Sequence, residues 1–318
     1  MTDIPKTRTV LFDNDGGVDD LLSLMMLLCM PHIDLIGIVV TPADCFLGPA
    51  VSATQKILRF FDRTDIEVSE GTLHGVNPFP RAWRAHAYAV DAFPILNEVT
   101  PDMPDLVAPI KEAGHDFISR KLRDAETPIT VLMTGPLSNL AAALVAEPSL
   151  SSKIEEVVWM GGAINVNGNV LDYEHDGTAE WNAYWDPPAT HDVWQSDVPI
   201  TIFPLDATNH VNVTKDFLHR LAQQRRYPLS DLAGQCWALT VGTIPSYEYT
   251  YFMWDTLTTG YLGAPQFISM RQVRTEAIPS GPSSGNINEV DTGGRLIQAA
   301  DHVEVDDFQS YILELFQR

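Results

Sequence analysis

Thr9-Val10-Leu11-Phe12-Asp13-Asn14-Asp15-Gly16-Gly17-Val18-Asp19-Asp20 is the stretch on which the reading of this chain turns. An apolar run, Thr9–Phe12, meets four carboxylates within eight positions, and a second apolar run, Leu21 to Met30, follows at helical length. The pattern is a strand, a tight turn and a helix, with the charge gathered at the strand's carboxyl end. Acids this close repel one another, and some must take up protons unless a cation neutralises them. A hard divalent ion with oxygen ligands, Ca²⁺ or Mg²⁺, removes that cost. The first expectation is therefore a metal site after the first strand; the plain alternative is a solvated charged turn.

Outward from this stretch, Ile33–Thr41 reads as a second strand, completing a right-handed βαβ unit. Ile129–Thr134 is another short buried strand, running into Gly135-Pro136-Leu137-Ser138-Asn139, whose Ser or Asn could cap the helix Leu140–Glu147. Val157–Met160 stops at Gly161-Gly162, and Val198–Leu205 stops at Asp206. The alternation predicts an α/β fold: one large domain over residues 1–318, with a mostly parallel open central sheet flanked by helices. Polar clusters just beyond strand ends are where such sheets bind ligands. Residues 71–101 and 242–253, rich in Pro and aromatics without a period, read as long loops that could cover a site. Pro279–Gly285 reads as a flexible turn before a β-type segment and a final helix near Asp307–Phe316.

Composition narrows the function classes. The 318 residues are 45% hydrophobic and 19% charged, with a formal charge of −22 and no basic stripe. Nucleic acid and anionic membrane surfaces are thereby disfavoured as partners; a small molecule or a metal ion fits. The longest apolar stretch, Leu21 to Met30, is too short to span a bilayer. Cys29, Cys45 and Cys236 are scattered and odd in number, which suggests buried thiols in a reducing compartment. With no secretory pattern at the start, a cytoplasmic location is expected.

Three known patterns compete for the acidic cluster. Counted from Asp13, an EF-hand loop would need Gly where Val18 stands and Glu where Leu24 stands, so that reading fails. Phe12-Asp13-Asn14-Asp15-Gly16 looks like the nucleophile motif of haloacid-dehalogenase-type phosphatases, which have no need of Asp19-Asp20. The Asp-x-Asp-x-Gly-x-Asp-Asp signature of nucleoside hydrolases is matched from Asp13 to Asp20 at every named position. Further motifs follow in order: Val76-Asn-Pro-Phe-Pro80 with Trp83, Thr134–Asn139, Met160–Ala163 with Gly168-Asn169-Val170, Ala179–Pro187, and Trp254-Asp255. Together the set resembles the nucleoside N-ribohydrolase family from end to end. Thr41–Phe46, Trp83, Glu180-Trp181-Asn182 and Trp254 look most like its purine-preferring, inosine-adenosine-guanosine branch.

The resemblance implies Ca²⁺ held by Asp15, Asp20, the Thr134 carbonyl and Asp255, with Asp15 the general base for the attacking water and Asp13 a hydrogen-bonding support. It implies ribose contacts by Asp19 and Asn182 (2′- and 3′-hydroxyls) and by Asn169 and Glu180 (5′-hydroxyl). Trp83 and Trp254 would flank the base, Asp44 would contact its edge, and Trp181 would stand with them among the substrate-binding residues. Plainer readings stand beside these roles: Asn169 as a turn residue, Glu180 and Asn182 as one face of a strand, the tryptophans as core, and Asp44 as the N-cap of a helix Cys45–Phe61. The chain departs from the branch at Gly17, where an Asn that reaches the base can stand; looser base selectivity would follow. His74, His86, His175 and His210 are conceivable proton donors, none of them favoured. The expected activity is Ca²⁺-dependent hydrolysis of purine ribonucleosides by a homodimer in purine salvage. The alternatives are a broad or pyrimidine-accepting hydrolase, an Asp13-nucleophile phosphatase, and a non-catalytic nucleoside- or calcium-binding protein.

Overall fold

The computed structural model describes residues 7–243 and 251–318. Ten strands form one sheet: β1 Arg8–Asn14, β2 Ile33–Val40, β3 Val68–Glu70, β4 Ile110–Ala113, β5 Ile129–Met133, β6 Ile154–Met160, β7 Ile200–Phe203, β8 Ile268–Ala277, β9 Ile287–Glu289 and β10 Arg295–Val303. Their order is β4-β3-β2-β1-β5-β6-β7-β10-β8-β9. Pairing is parallel from β4 across to β10, and antiparallel where β8 meets β10 and β9. The fold is a single α/β domain with a large, mostly parallel sheet flanked by helices, as expected.

Successive side chains of β1 feed opposite cores, Val10 and Phe12 on one face and Leu11 on the other. A strand covered on both faces reads as a continuous apolar run, which is what Thr9–Phe12 is. The chain leaves β1 toward β2, β3 and β4 on one side and later returns to β5, β6 and β7 on the other. Strand order thus reverses between β1 and β5, and the crevice there is where such sheets take ligands.

Several expectations are corrected. Residues 71–101 are not one loop but hold three short helices, Arg81–Arg84, His86–Asp91 and Pro94–Asn97, each too short to print a helical period. Most of 242–253 lies outside the described residues. Neither Ser138 nor Asn139 caps its helix, which runs from Ser138 to Ala146 with Leu137 as N-cap. Ser138 donates instead to Asp186, at 2.6 Å, and Asn139 to the acid Asp13. The helix after β2 starts at Leu47 with Phe46 as N-cap, so Asp44 is not a cap. Glu180 and Asn182 do not lie on a strand: Glu180 caps the helix Trp181–Trp185. The strand expected over Val198–Leu205 shortens to β7, and the ten-residue β8 was not anticipated.

Candidate active site

Gly16 makes the turn after β1 possible. Its φ is +74°, and a Cβ there would lie 2.6 Å from that of Ala50. The turn delivers the chain into the helix Val18–Cys29, whose first turn carries Asp19 and Asp20 where a helix dipole favours negative charge. Asp20 also accepts from the Gly17 N–H at 2.8 Å, satisfying one of the helix's unpaired donors. Thr134 follows β5 on the other side of the reversal, and the helix Trp254–Gly260 brings in Asp255 from near the far end of the chain.

These elements enclose a cavity of about 360 Å³, within the range of small-ligand sites. The twelve residues to which the resemblance gives a metal or substrate role all line it: Asp15, Asp19, Asp20, Asp44, Trp83, Thr134, Asn169, Glu180, Trp181, Asn182, Trp254 and Asp255. Asp13 does not. Its two oxygens are taken by the Thr41 hydroxyl (2.9 Å) and the Asn139 amide (3.0 Å), which leaves it poorly placed to be a nucleophile.

Asp19, Asp20 and Asp255 are buried with one carboxylate oxygen each, all within 4.8 Å of one another. Two ligands on opposite sides of a calcium ion stand at most about 5 Å apart, so the three oxygens fit around one such ion. Asp19, expected at the sugar, thus shares the cluster, while Asp15 lies beside Asp20: its backbone N–H reaches Asp20 Oδ1 at 3.3 Å. The Thr134 hydroxyl also donates to Asp20. Asp15 Oδ2 and Asp44 Oδ1 are buried without a partner among the described residues. Buried carboxylate oxygens are otherwise almost always paired, and these two suit a further ligand.

Electrostatics agrees with this reading. Burial, then the Asp20 and Asp44 charges, push the Asp15 carboxyl well above the ordinary range. Burial and the neighbouring Asp19, Asp20 and Asp15 do the same to Asp255. Burial raises Asp20 to about 7, and Asp13 likewise. An all-oxygen, mutually repelling donor set is what a hard cation stabilises. A side chain at Gly17 would press on this set, since its Cβ would lie 3.0 Å from Asp20 Oδ2 and 3.2 Å from Asp44 Oδ2.

Glu180, also in the cavity lining, accepts from the backbone N–H groups of Asn182 (2.8 Å), Gly162 (3.1 Å) and Ala183 (3.3 Å). Burial lifts its carboxyl to about 7 against the pull of those bonds. The Asn182 amide donates to the carbonyls of Thr134 (2.9 Å) and Met160 (3.1 Å), leaving its oxygen to accept. The Asn169 oxygen is taken by the Trp181 N–H at 3.1 Å, which leaves its NH₂ to donate. The half-buried Trp83 meets Trp181 edge-to-face at 5.7 Å, and Trp254 is held the same way by Tyr251 at 4.7 Å.

Phe79 and Met160, which the sequence offers only as parts of motifs, and Tyr251 and Phe252, within the segment 242–253 read as a possible covering loop, also line the cavity, as do Leu171 and Asn209, which sequence reasoning passes over. It named His86, another lining residue, only as one conceivable proton donor. Asn209 lies just past β7, in the class of position already flagged by Asp206; extending that rule by one helical turn finds it. Asp206 itself holds the neighbouring loop, accepting from the Ile164 and Asn165 N–H groups at 2.8 and 2.7 Å.

A profile of the inosine-uridine preferring nucleoside hydrolase family matches residues 10–310. The fold is similar to the crystal structure of an inosine-uridine preferring nucleoside hydrolase from Bacillus anthracis, with a TM-score of 0.90 and 40% identity over 98% of this chain and 99% of that one. A pyrimidine-specific ribonucleoside hydrolase RihA of Escherichia coli O1:K1 is 32% identical over 216 residues, 65% of this chain and 65% of its own. A probable uridine nucleosidase 2 of Arabidopsis thaliana is 29% identical over 218 residues, 69% of this chain and 65% of its own. The chain therefore spans about 65% of the length of these curated relatives. With the profile running nearly end to end, the chain belongs to the inosine-uridine preferring nucleoside hydrolase family.

Proposed function

We propose that this protein hydrolyses the N-glycosidic bond of ribonucleosides, purine nucleosides foremost, to free base and ribose, with Ca²⁺ in the acidic cluster. The observation that carries the reading is Asp15 Oδ2, a buried carboxylate oxygen without a partner among the described residues, beside three converging acids in a cavity lined by three tryptophans. Asp15, Asp20, the Thr134 carbonyl and Asp255 would hold the ion, with Asp19 adjoining it. When bound, such an ion supplies Lewis acidity, polarising water and the sugar's hydroxyls. Asp15 takes the proton from the attacking water at Oδ2. Asp19 and the Asn182 oxygen accept from the 2′- and 3′-hydroxyls, and the Asn169 NH₂ and Glu180 receive the 5′-hydroxyl. As the bond to the base breaks, positive charge grows on the ribose, and the surrounding carboxylates stabilise it.

Purine preference rests on Trp83 and Trp254. A two-ring base offers them more stacking surface, each aromatic pair adding about 0.5–1.5 kcal/mol beyond burial. Pyrimidine hydrolysis is the second reading, favoured by the printed specificities of the E. coli and A. thaliana relatives. The proposal includes a cytoplasmic homodimer serving purine salvage. No helix among the described residues is long and apolar enough to cross a membrane.

The test is incubation with inosine, adenosine, guanosine, uridine and cytidine, followed by separation of released bases. Purine bases should appear faster than pyrimidines. Faster uracil release would move the assignment to the pyrimidine reading, and no base from any substrate would refute the activity.

A further inference from the structure

The indole N–H of Trp254 donates to Asn209 Oδ1 at 3.3 Å. Indole nitrogen is only a donor, so it fixes which end of the amide it meets: the oxygen must face Trp254, and the NH₂ must face away. Asn209 and Trp254 both line the cavity, and the Asn209 NH₂ makes no hydrogen bond to any described residue. A structural role for the residue does not require this arrangement. Asn209 ends the short helix Leu205–Thr208 with φ −69°, so it is not an Asn chosen for a left-handed cap. The result is an amide oriented by the tryptophan wall, with two N–H donors left for whatever lies beside that wall.

We propose that Asn209 is a leaving-group residue: its oxygen anchors the Trp254 indole, and its NH₂ donates a hydrogen bond to an acceptor on the departing base, N7 or a ring carbonyl oxygen. The inference rests on the nucleoside hydrolase reading of this site. As the glycosidic bond breaks, its electron pair moves onto the base while water adds at the anomeric carbon. The proton lost by that water goes to Asp15, and the base acquires its proton from solvent. Asn209 transfers none; it stabilises the negative charge collecting on the base. A hydrogen bond to a charged group contributes roughly 1.5–3 kcal/mol, which corresponds to about ten- to a hundredfold in rate.

Two substitutions separate the two ends of the amide. Asn209→Asp keeps an oxygen for the indole N–H but has no donor and sets a carboxylate against the accumulating charge; Asn209→Leu removes both functions. Each is assayed with inosine and with p-nitrophenyl riboside, whose leaving group departs without help. In N209D, kcat for inosine should fall about ten- to a hundredfold with KM changed far less, while nitrophenol release stays within about threefold of the unsubstituted enzyme. N209L should show the same selective loss on inosine. Thermal unfolding reads whether either variant is folded, and N209D carries the test if N209L is not. Inosine turnover kept in N209D, or equal losses on both substrates, would overturn the proposal. An unsubstituted protein that releases neither hypoxanthine nor nitrophenol would instead sink the underlying hydrolase reading.

Discussion

Asp15→Asn should lower the turnover of a purine nucleoside by at least about a hundredfold, the usual contribution of a positioned general base. The substitution keeps the shape of the side chain and the fold around it. It removes the negative charge and puts an NH₂ or a carbonyl oxygen where Oδ2 now lies buried without a partner. The fall should be in kcat, because the proposed mechanism has Asp15 take its proton as the reaction proceeds and assigns sugar binding to Asp19, Asn169, Glu180 and Asn182. Activated nitrophenyl ribosides should suffer as much as inosine, since the attacking water is common to both. That shared loss sets the Asp15 phenotype apart from the selective loss predicted at Asn209. Steady-state kinetics on the two substrates checks it, and near-normal turnover would remove Asp15 from the chemistry.

Removal of the metal should abolish activity until Ca²⁺ is returned, and it should also destabilise the fold in a pH-dependent way. The sign follows from the raised carboxyls. Asp13, Asp20 and Glu180 stand at about 7 when folded, above their ordinary values of 3.8, 3.8 and 4.5. Groups raised in this way contribute stability in full below about pH 4, and that contribution is lost as the pH climbs through about 7. The chelated protein should therefore melt at a lower temperature at pH 8 than at pH 5. An ion bound only to the folded state and present at a hundred times its dissociation constant adds about 2.7 kcal/mol, or roughly 4 °C in a domain of this size. Its effect should be larger at pH 8, where the acids are ionised and ready to ligate. Scanning calorimetry at both pH values, with chelator and with Ca²⁺, measures all four conditions. Equal melting temperatures throughout would mean that the acids hold no ion.

The legibility of this protein in its sequence was uneven, and the unevenness has physical causes. β1 and β5, buried on both faces, printed themselves as apolar runs, and the acidic cluster stood out because nothing in packing explains it. Asp255 was placed in the site only by the resemblance; no local pattern says that a residue more than two hundred positions away folds back onto Asp19 and Asp20. The short helices over residues 81–97 are invisible because one turn carries no period, and β8 because a polar residue, Thr275, takes an inward position and interrupts the apolar half of the alternation. Hydrogen bonding was the least legible layer. Asn139, one of two candidate caps in the sequence, holds Asp13 instead, and Glu180, whose plainer reading is a strand residue, caps a helix. Asn209 was passed over because a single Asn in a turn is ordinary until the indole beside it is seen.

The proposed activity requires one cation gathered by acids from distant parts of the chain. Crystals grown in Ca²⁺ and measured for anomalous scattering test this directly. A single ion touching carboxylate oxygens of Asp15, Asp20 and Asp255, with the Thr134 carbonyl beside it, is the predicted result. No ion at the carboxyl end of β1, or an ion bound there without Asp255, would contradict it.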